Sequence, residues 1–159
     1  VTAVAEPVQK AGYRLVMEPG RSIIGSAGLL LTQVLYTKRQ GEKSFLIADA
    51  GMNDLLRPTL YDAQHPILTV RQSAISPQLS AFDVVGPVCE TGDFLARERP
   101  FPPTQTGDLL AVMQAGAYGF AMGSNYNGRL RPAEVLVNGS EFCIIRQRQT
   151  YTHLLDGCE

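Results

Sequence analysis

The stretch AEVLVNGSEFCIIR, residues 133–146, predicts a β-hairpin and sets the fold class of the chain. Two β-rich runs, 133–137 and 140–146, flank Asn138-Gly139, and Asn-Gly is the strongest short hairpin signal because both residues tolerate positive φ. Further β-rich runs separated by turn residues precede it: Leu29 to Lys38, Ser44 to Ala48, Ile67 to Gln72 and Phe82 to Cys89. The sequence therefore predicts a mainly β fold.

Helices are expected to be few and short. Residue patterns favour helical pieces at Asp54 to Tyr61, Asp108 to Ala117 and Tyr151 to Asp156, and Pro100 to Pro103 indicates a loop. The predicted fold is a β-barrel-like or sandwich domain with short helices.

The first residues predict a different kind of structure. Residues 1–12 favour the end of a helix or a loop, and Tyr13 to Met17 is a short apolar run, consistent with a buried strand, that leads into Glu18-Pro19-Gly20-Arg21. A buried strand followed by a polar, Gly-containing turn is typical of an α/β barrel, where active sites collect at such boundaries. We expect residues 1–25 to be the end of a barrel and residues 26–159 to form the β domain. A lone barrel strand lacks neighbours, so we expect this first part to be displaced or poorly ordered unless it pairs with another copy.

Composition excludes several classes of function. The formal net charge is −1 and no stretch collects like charges, so nothing indicates a nucleic-acid partner. The longest apolar run, Gly28 to Leu31, is too short to span a bilayer, and the first residues lack the pattern of a signal peptide, so a cytoplasmic protein is expected. Three widely spaced cysteines and two histidines predict neither a metal site nor a disulfide framework.

The segment GPVCETGD, residues 86–93, contains the strongest candidate for a catalytic residue. Cys89 stands beside Glu90 in a glycine-flanked loop, and loop thiols in polar company are better candidates than thiols in apolar strands. Cys143, within FCII, is expected in the core, and Cys158 near the end is expected to be incidental. The residues alone leave open whether Cys89 is catalytic.

Arg57 and Tyr61 are four residues apart, so on a helical turn they share a face. The forked arginine side chain suits a carboxylate or a phosphate, and Pro58 requires that this be the first turn of the helix. The alternative is an ordinary helix surface with Tyr61 packed against a neighbour.

Two other motifs also allow a plain structural interpretation. Glu18 and Arg21 could form a surface ion pair, which stabilises little. The small residues around Tyr118 in AGAYG permit close approach of the backbone to a ligand or to another element, or tight helix packing. SNYNG, residues 124–128, predicts a polar turn.

The order and spacing of these motifs resemble one family. EPGR, DAGMNDLLRPTLYDAQH, GPVCETGD, AGAYGFAMGSNYN and RPAEVLV follow one another as in the diaminopimelate decarboxylases, and the resemblance covers nearly the whole chain. The broader group of fold III pyridoxal-phosphate (PLP) enzymes includes ornithine, arginine and carboxynorspermidine decarboxylases, which share EPGR-like and Cys-containing motifs. RPTLYDAQH and CETGD fit the diaminopimelate branch best.

This resemblance implies an enzyme with a (β/α)₈ barrel that holds PLP, a C-terminal β domain, and a homodimer with sites at the subunit interface. The implied reaction converts meso-2,6-diaminopimelate to L-lysine and CO₂. By resemblance, Glu18 pairs with the pyridine nitrogen of PLP, and Gly20 and Arg21 lie at the cofactor phosphate and the substrate. The substrate is bound by Arg57, Tyr61 and Glu90, and Tyr118 contacts both the cofactor and the substrate. Cys89 protonates the carbon that loses CO₂. Cys89 and Glu90 are expected to reach into the partner subunit's site.

The sequence departs from the family before Glu18. A barrel takes about 250 residues, and Lys10 is the only lysine before Glu18, in no motif resembling the family's cofactor-binding lysine. The glycine-rich phosphate loop upstream of EPGR is also missing. We therefore interpret the sequence as the C-terminal part of the enzyme, and expect that alone it neither binds PLP tightly nor decarboxylates. The alternatives are a related decarboxylase of another basic amino acid and a non-catalytic β module for binding or dimerisation.

Overall fold

The computed structural model describes residues 2–71 and 79–158. The strands are β1 Leu30–Gln40, β2 Lys43–Ala48, β3 Ile67–Thr69, β4 Ser80–Val85, β5 Phe94–Phe101, β6 Leu109–Val112, β7 Glu134–Asn138 and β8 Glu141–Arg146. The α-helices are α1 Thr2–Lys10, α2 Arg57–Tyr61 and α3 Tyr151–Leu155, and single 3₁₀ turns lie at Gly20–Ser22, Gly25–Ala27, Phe120–Met122 and Tyr126–Gly128. The predicted mainly β class with short helices is confirmed.

Six strands form one sheet in the order β3-β6-β1-β2-β4-β5. Neighbours are antiparallel except β2 and β4, which are parallel. Apolar side chains from these strands form the core, together with Leu55, which is fully buried in the segment after β2. Burial of such side chains is the main stabilising contribution to the fold.

One edge of this sheet collects most of the loops. Leu30, at the start of β1, pairs with Val112, at the end of β6, and Ile67, at the start of β3, pairs with the same residue. At the other side of the sheet Val85, at the end of β4, pairs with Phe94, at the start of β5. Strands β2, β4 and β6 therefore end, and β1, β3 and β5 begin, at one edge, which we call the loop edge. Residues 13–29, 49–66, 86–93 and 113–128 emerge there.

The predicted strand at Tyr13 to Met17 is wrong. These residues form no strand, and Tyr13 and Val16 are each 74% exposed. A strand needs hydrogen-bonding neighbours, and the described chain supplies none here. For the preceding residues, where the end of a helix or a loop was expected, the structure has helix α1.

Two predictions around β5 and β6 are also wrong. The helix expected at Asp108 to Ala117 does not form. Leu109–Val112 are strand β6, because pairing on both sides with β1 and β3 overrides local helical preference. The loop expected at Pro100 to Pro103 begins later, since β5 runs to Phe101 and was not predicted. Strand β5 is an edge strand, where the missing N–H of Pro100 costs little.

Other boundaries shift without changing the element. The predicted helix at Asp54 to Tyr61 begins at Arg57, after a turn. The strand predicted at Ile67 to Gln72 ends at Thr69, and Gln72 itself lies outside the described residues. The predicted C-terminal helix is α3.

Strands β7 and β8 form the predicted hairpin as a separate two-stranded sheet. The two turn residues are Gly139 and Ser140, one position later than the Asn-Gly pair predicts, and Gly139 has φ +61°, which glycine adopts readily at the first position of such a turn. The prediction that Cys143 is a core residue is wrong, because Cys143 is exposed along with the rest of β8. A two-stranded sheet has no interior of its own, so its apolar side chains stay uncovered, with Phe142 at 75% exposure. No helix in the described ranges is long and apolar enough to cross a membrane.

Candidate active site

The Asp93 side chain ties the loop of residues 86–93 to the turn after β2. It is 3% exposed, and its two carboxylate oxygens accept hydrogen bonds from separate segments. The Met52 N–H donates to Oδ1 at 2.6 Å, and the Val88 N–H donates to Oδ2 at 2.6 Å. Bonds of this length from backbone N–H to a carboxylate are charge-assisted, so Asp93 fixes the two segments relative to each other.

Glycines make room for this carboxylate. A Cβ atom on Gly51 or Gly86 would overlap the Asp93 carboxylate oxygens, so both positions require the absence of a side chain. On the other side of the loop the Thr59 hydroxyl, on α2, donates to the Gly92 carbonyl. The loop is therefore fastened to both segments beside it.

The turn after β2 is itself held by polar side chains. Asp49 Oδ1 accepts the Thr32 hydroxyl at 2.5 Å, and Arg129 Nη2 donates to the Asp49 carbonyl at 2.6 Å. Burial raises the pKa of the Asp54 carboxyl, although a hydrogen bond from the Gly51 N–H partly opposes this. These acids brace the loop edge, and within the described part of the chain no three His, Cys, Asp or Glu side chains group as metal ligands.

Helix α2 places Arg57 and Tyr61 one turn apart, as their spacing predicts. Pro58 lies in the first turn of this helix, as required, and is buried. The Tyr61 side chain is 62% exposed, so it is not packed against a neighbour in the described chain. Arg57 Nη1 donates toward Nε2 of His65 at 3.5 Å.

His65 is a buried neutral residue behind Arg57. It is 2% exposed, and its Nδ1 lies 2.9 Å from the Met113 carbonyl, which can only accept, so Nδ1 carries the proton. Burial lowers the pKa of His65, and the positive charges of Arg57 and Arg21 lower it further, against the hydrogen bond to Met113. Nε2 is then an acceptor facing the Arg57 guanidinium.

Neutral His65 predicts a pH-dependent stability. Its pKa in the folded chain lies below the ordinary value of 6.5, so its contribution is complete above pH 6.5 and is lost as the pH falls through the folded value. We expect His65→Asn, which keeps a donor toward Met113, to flatten the decline in the free energy of unfolding on acidification, measured by urea denaturation. The control Gln9→Asn, on exposed helix α1, changes no titratable group and should leave the decline unchanged. Equal slopes for the wild type and His65→Asn would contradict the assignment.

Backbone contacts bring Tyr118 to the segment before β1. The Gly116 N–H donates to the Gly25 carbonyl at 3.1 Å, and Gly28 and Gly116 lie so close that a Cβ on either would strike the other's backbone. The prediction that small residues around Tyr118 allow close approach to another element is confirmed, although no helix ends there. A Cβ built on Gly20 would lie 3.8 Å from the Tyr118 hydroxyl, so these two predicted residues share one space.

Cys89 and Glu90 lie exposed at the tip of their loop. The Tyr126 hydroxyl donates to Glu90 Oε1 at 2.6 Å. The predicted site residues therefore form two groups at the loop edge. One contains Arg57 beside His65, and Arg21 with Gly20 and Tyr118. The other contains Cys89 and Glu90 beside Tyr126. No hydrogen bond or ion pair joins the two groups among residues 2–71 and 79–158, and Glu18 is exposed before the first group.

Sequence reasoning assigned no role to Asp93, His65 or Tyr126. Asp93 closes the GPVCETGD motif and His65 closes RPTLYDAQH, so both stood inside quoted motifs. The signal that could have found Asp93 was the pair Gly51 and Gly86, since glycines in two separate turns indicate close approach by a third group.

The comparisons with known proteins decide the family. Residues 13–116 match the model described as pyridoxal-dependent decarboxylase, C-terminal sheet domain. The chain belongs to the pyridoxal-dependent decarboxylase family. It is 50% identical over 143 residues to a diaminopimelate decarboxylase of Aquifex aeolicus, covering 90% of this chain and 34% of that protein. It is 52% identical over 152 residues to one of Neisseria meningitidis, covering 93% and 37%.

Solved structures agree on the fold of this decarboxylase domain. The diaminopimelate decarboxylase from Helicobacter pylori complexed with L-lysine has a TM-score of 0.86 at 39% identity, covering 98% of this chain and 38% of that chain. The chain thus spans about a third of the length of the curated relatives it matches.

The residues of this decarboxylase domain fit part of a PLP site. Gly20 has φ +52° and leaves open space toward the Tyr118 hydroxyl, where a side chain at residue 20 would stand. The Tyr118 phenol is near Gly20, and Glu18 and Arg21 flank Gly20 in sequence. A carboxylate, a guanidinium and a phenol are chemically suited to a protonated ring, a phosphate and a carboxylate. PLP is the cofactor of this family.

Proposed function

We propose that these residues are the C-terminal part of a diaminopimelate decarboxylase, which converts meso-2,6-diaminopimelate to L-lysine and CO₂. The observation that carries the proposal is that segments far apart in sequence bring their predicted site residues to one loop edge, with Arg57 beside buried His65 and Glu90 beside Tyr126. The high identity to diaminopimelate decarboxylases supports the substrate.

The proposed roles follow from the charges of the substrate. Its far end is an amino-acid group with a carboxylate and an ammonium, and Arg57 and Glu90 are complements of these two charges. Tyr61, one helical turn from Arg57, adds a hydroxyl at the same end. Arg21 binds a carboxylate of the substrate near the cofactor, with Tyr118 beside it.

The cofactor and the thiol divide the chemistry. When bound, PLP draws electrons away from the bond to the leaving CO₂. Glu18 keeps a proton on the pyridine nitrogen, and Gly20 and Arg21 hold the phosphate end. After the C–C bond breaks, its electron pair stays on the substrate carbon, and Cys89 Sγ donates a proton there. The thiolate then regains a proton from solvent.

We propose a cytoplasmic homodimer in which Cys89 and Glu90 reach into the partner's site. We also propose that this chain divides at residue 25 between barrel and β domain. Supporting the first point, both residues are exposed at a loop tip and are not bonded to the Arg57 group within the described chain. Residues 1–159 alone are proposed not to decarboxylate, since the cofactor-binding lysine would come from a barrel.

Steady-state kinetics on the complete gene product, meaning the product of the full reading frame around these residues, test the function. With PLP present, we expect kcat/KM for meso-diaminopimelate to exceed that for ornithine or arginine by about 100-fold or more, because a charged pocket rejects ligands that leave it unpaired. Arg57→Ala should lower kcat/KM for diaminopimelate by about 10- to 100-fold, mostly through KM.

Arg57→Lys is the matched variant and should recover only part of the loss, because lysine cannot form the paired bonds of a guanidinium. A preference for ornithine, or an equal loss on all substrates in Arg57→Ala, would contradict the proposal.

A further inference from the structure

Tyr126 stands in a segment that the sequence predicts only as a polar turn, yet its phenol contacts the proposed substrate-binding acid. We propose that Tyr126 is a positioning residue, which orients the Glu90 carboxylate toward the ammonium at the far end of the substrate. This inference rests on the proposed function, because it assumes that Glu90 binds that ammonium.

The contact itself is short and directional. Tyr126 Oη–H donates to Glu90 Oε1 at 2.6 Å, the length expected of a hydroxyl bonded to a carboxylate. Glutamate has several freely rotating bonds, and an exposed loop leaves them unconstrained. One fixed oxygen restricts these rotations and leaves Oε2 available to a cationic ligand. The substrate would then bind a carboxylate whose orientation is already set.

The backbone that carries Tyr126 is anchored. The Asn53 side-chain amide donates to the Tyr126 carbonyl at 2.8 Å, and the Ser124 N–H donates to the Asn53 carbonyl at 3.0 Å. Asn53 is 3% exposed, so this anchor lies in the interior rather than on the surface.

The same turn also anchors the loop that carries Glu90. Met52, next to Asn53, donates to Asp93, and Asp93 holds that loop through Val88. The backbone of Tyr126 and the loop of Glu90 are therefore held by adjacent residues of one turn, Asn53 and Met52. The contact between Tyr126 and Glu90 therefore joins two backbone segments that are already held in place.

The phenol stays a donor over the working range of pH. The hydrogen bond to Glu90 raises the pKa of Tyr126 above its ordinary value, and the charge of Glu90 adds to this. A protonated phenol donates to Glu90 without competing with Cys89 as the proton source.

The test compares Tyr126→Phe with the wild type in the complete gene product. Loss of the hydroxyl should raise KM for meso-diaminopimelate by about 5- to 20-fold, with kcat within about twofold, because only binding depends on the orientation of Glu90. The control Tyr36→Phe, which removes a hydroxyl from an exposed residue of β1, should change neither constant.

A double-mutant cycle separates positioning from a general structural effect. In a Glu90→Ala background, Tyr126→Phe should have no further effect on KM, because the acid through which it acts is gone. Additive losses, an unchanged KM in Tyr126→Phe, or a fall in kcat alone would each overturn the inference.

A spectroscopic titration does not depend on activity. Tyrosinate absorbance follows the ionisation of Tyr126 when it is assigned by difference from Tyr126→Phe. The Tyr126 pKa should be lower in Glu90→Gln than in the wild type. An equal pKa in the two proteins would overturn the contact. The wild type could show this pKa difference and yet fail to decarboxylate diaminopimelate. In that case the contact between Tyr126 and Glu90 is confirmed, but the proposed function is wrong. The role of Tyr126 in orienting Glu90 for that substrate is then excluded.

Discussion

Replacing Asp93 with alanine is expected to lower the free energy of unfolding by about 3–5 kcal/mol. Its carboxylate accepts the N–H groups of Met52 and Val88, each at 2.6 Å, and is 3% exposed. Alanine would leave both donors buried without partners, and each such donor costs about 1–3 kcal/mol. Urea denaturation of the purified protein, followed by circular dichroism, measures the difference.

Two companion variants make the result specific to this contact. Asp93→Asn keeps the shape but can satisfy only one of the two N–H groups with its carbonyl, so its loss should lie between those of the wild type and Asp93→Ala. Glu42→Ala removes an acid from the exposed β1–β2 turn and should change stability by less than about 0.5 kcal/mol. A loss in Asp93→Ala no larger than in Glu42→Ala would contradict the bracing role.

The elements that could be predicted from the sequence are those set by local pattern. The hairpin of β7 and β8 is predictable because its turn depends on one local residue, Gly139, which takes the positive φ that the turn needs. Strand β6 was missed, since its residues adopt extended structure only through β1 and β3, which lie far away in sequence. The strand expected at Tyr13 to Met17 does not form, because an apolar run cannot form a strand without a partner strand.

The candidate site divides in the same way. The spacing of Arg57 and Tyr61 and the loop around Cys89 are visible in sequence because each depends on a few consecutive residues. The supporting contacts of His65 and Tyr126 were not visible, since each joins segments dozens of residues apart. Chemistry that depends on one motif can be predicted locally, whereas the groups that orient it are found only in the folded chain.

Replacing Cys89 with alanine in the complete gene product is expected to lower kcat for diaminopimelate by about 100- to 10,000-fold, the range for loss of a positioned proton donor. KM should change little, because the thiol is proposed to act after CO₂ leaves and not in binding. Single-turnover and steady-state assays of L-lysine formation measure both constants. Cys143→Ala and Cys158→Ala, exposed thiols outside the loop, should retain wild-type kcat, and an equal loss in either would contradict the assignment.

Mixed dimers test whether this thiol acts across a subunit interface. If one site combines Glu18 of one subunit with Cys89 of the other, co-expressed Glu18→Ala and Cys89→Ala chains restore one intact site in each mixed dimer. Random pairing makes half of the dimers mixed, so about a quarter of wild-type activity should return. If both residues belonged to the same subunit's site, no mixed dimer would contain an intact site, and activity would stay at the level of the separate variants. Recovery therefore depends on geometry alone, because neither chain regains its own missing side chain.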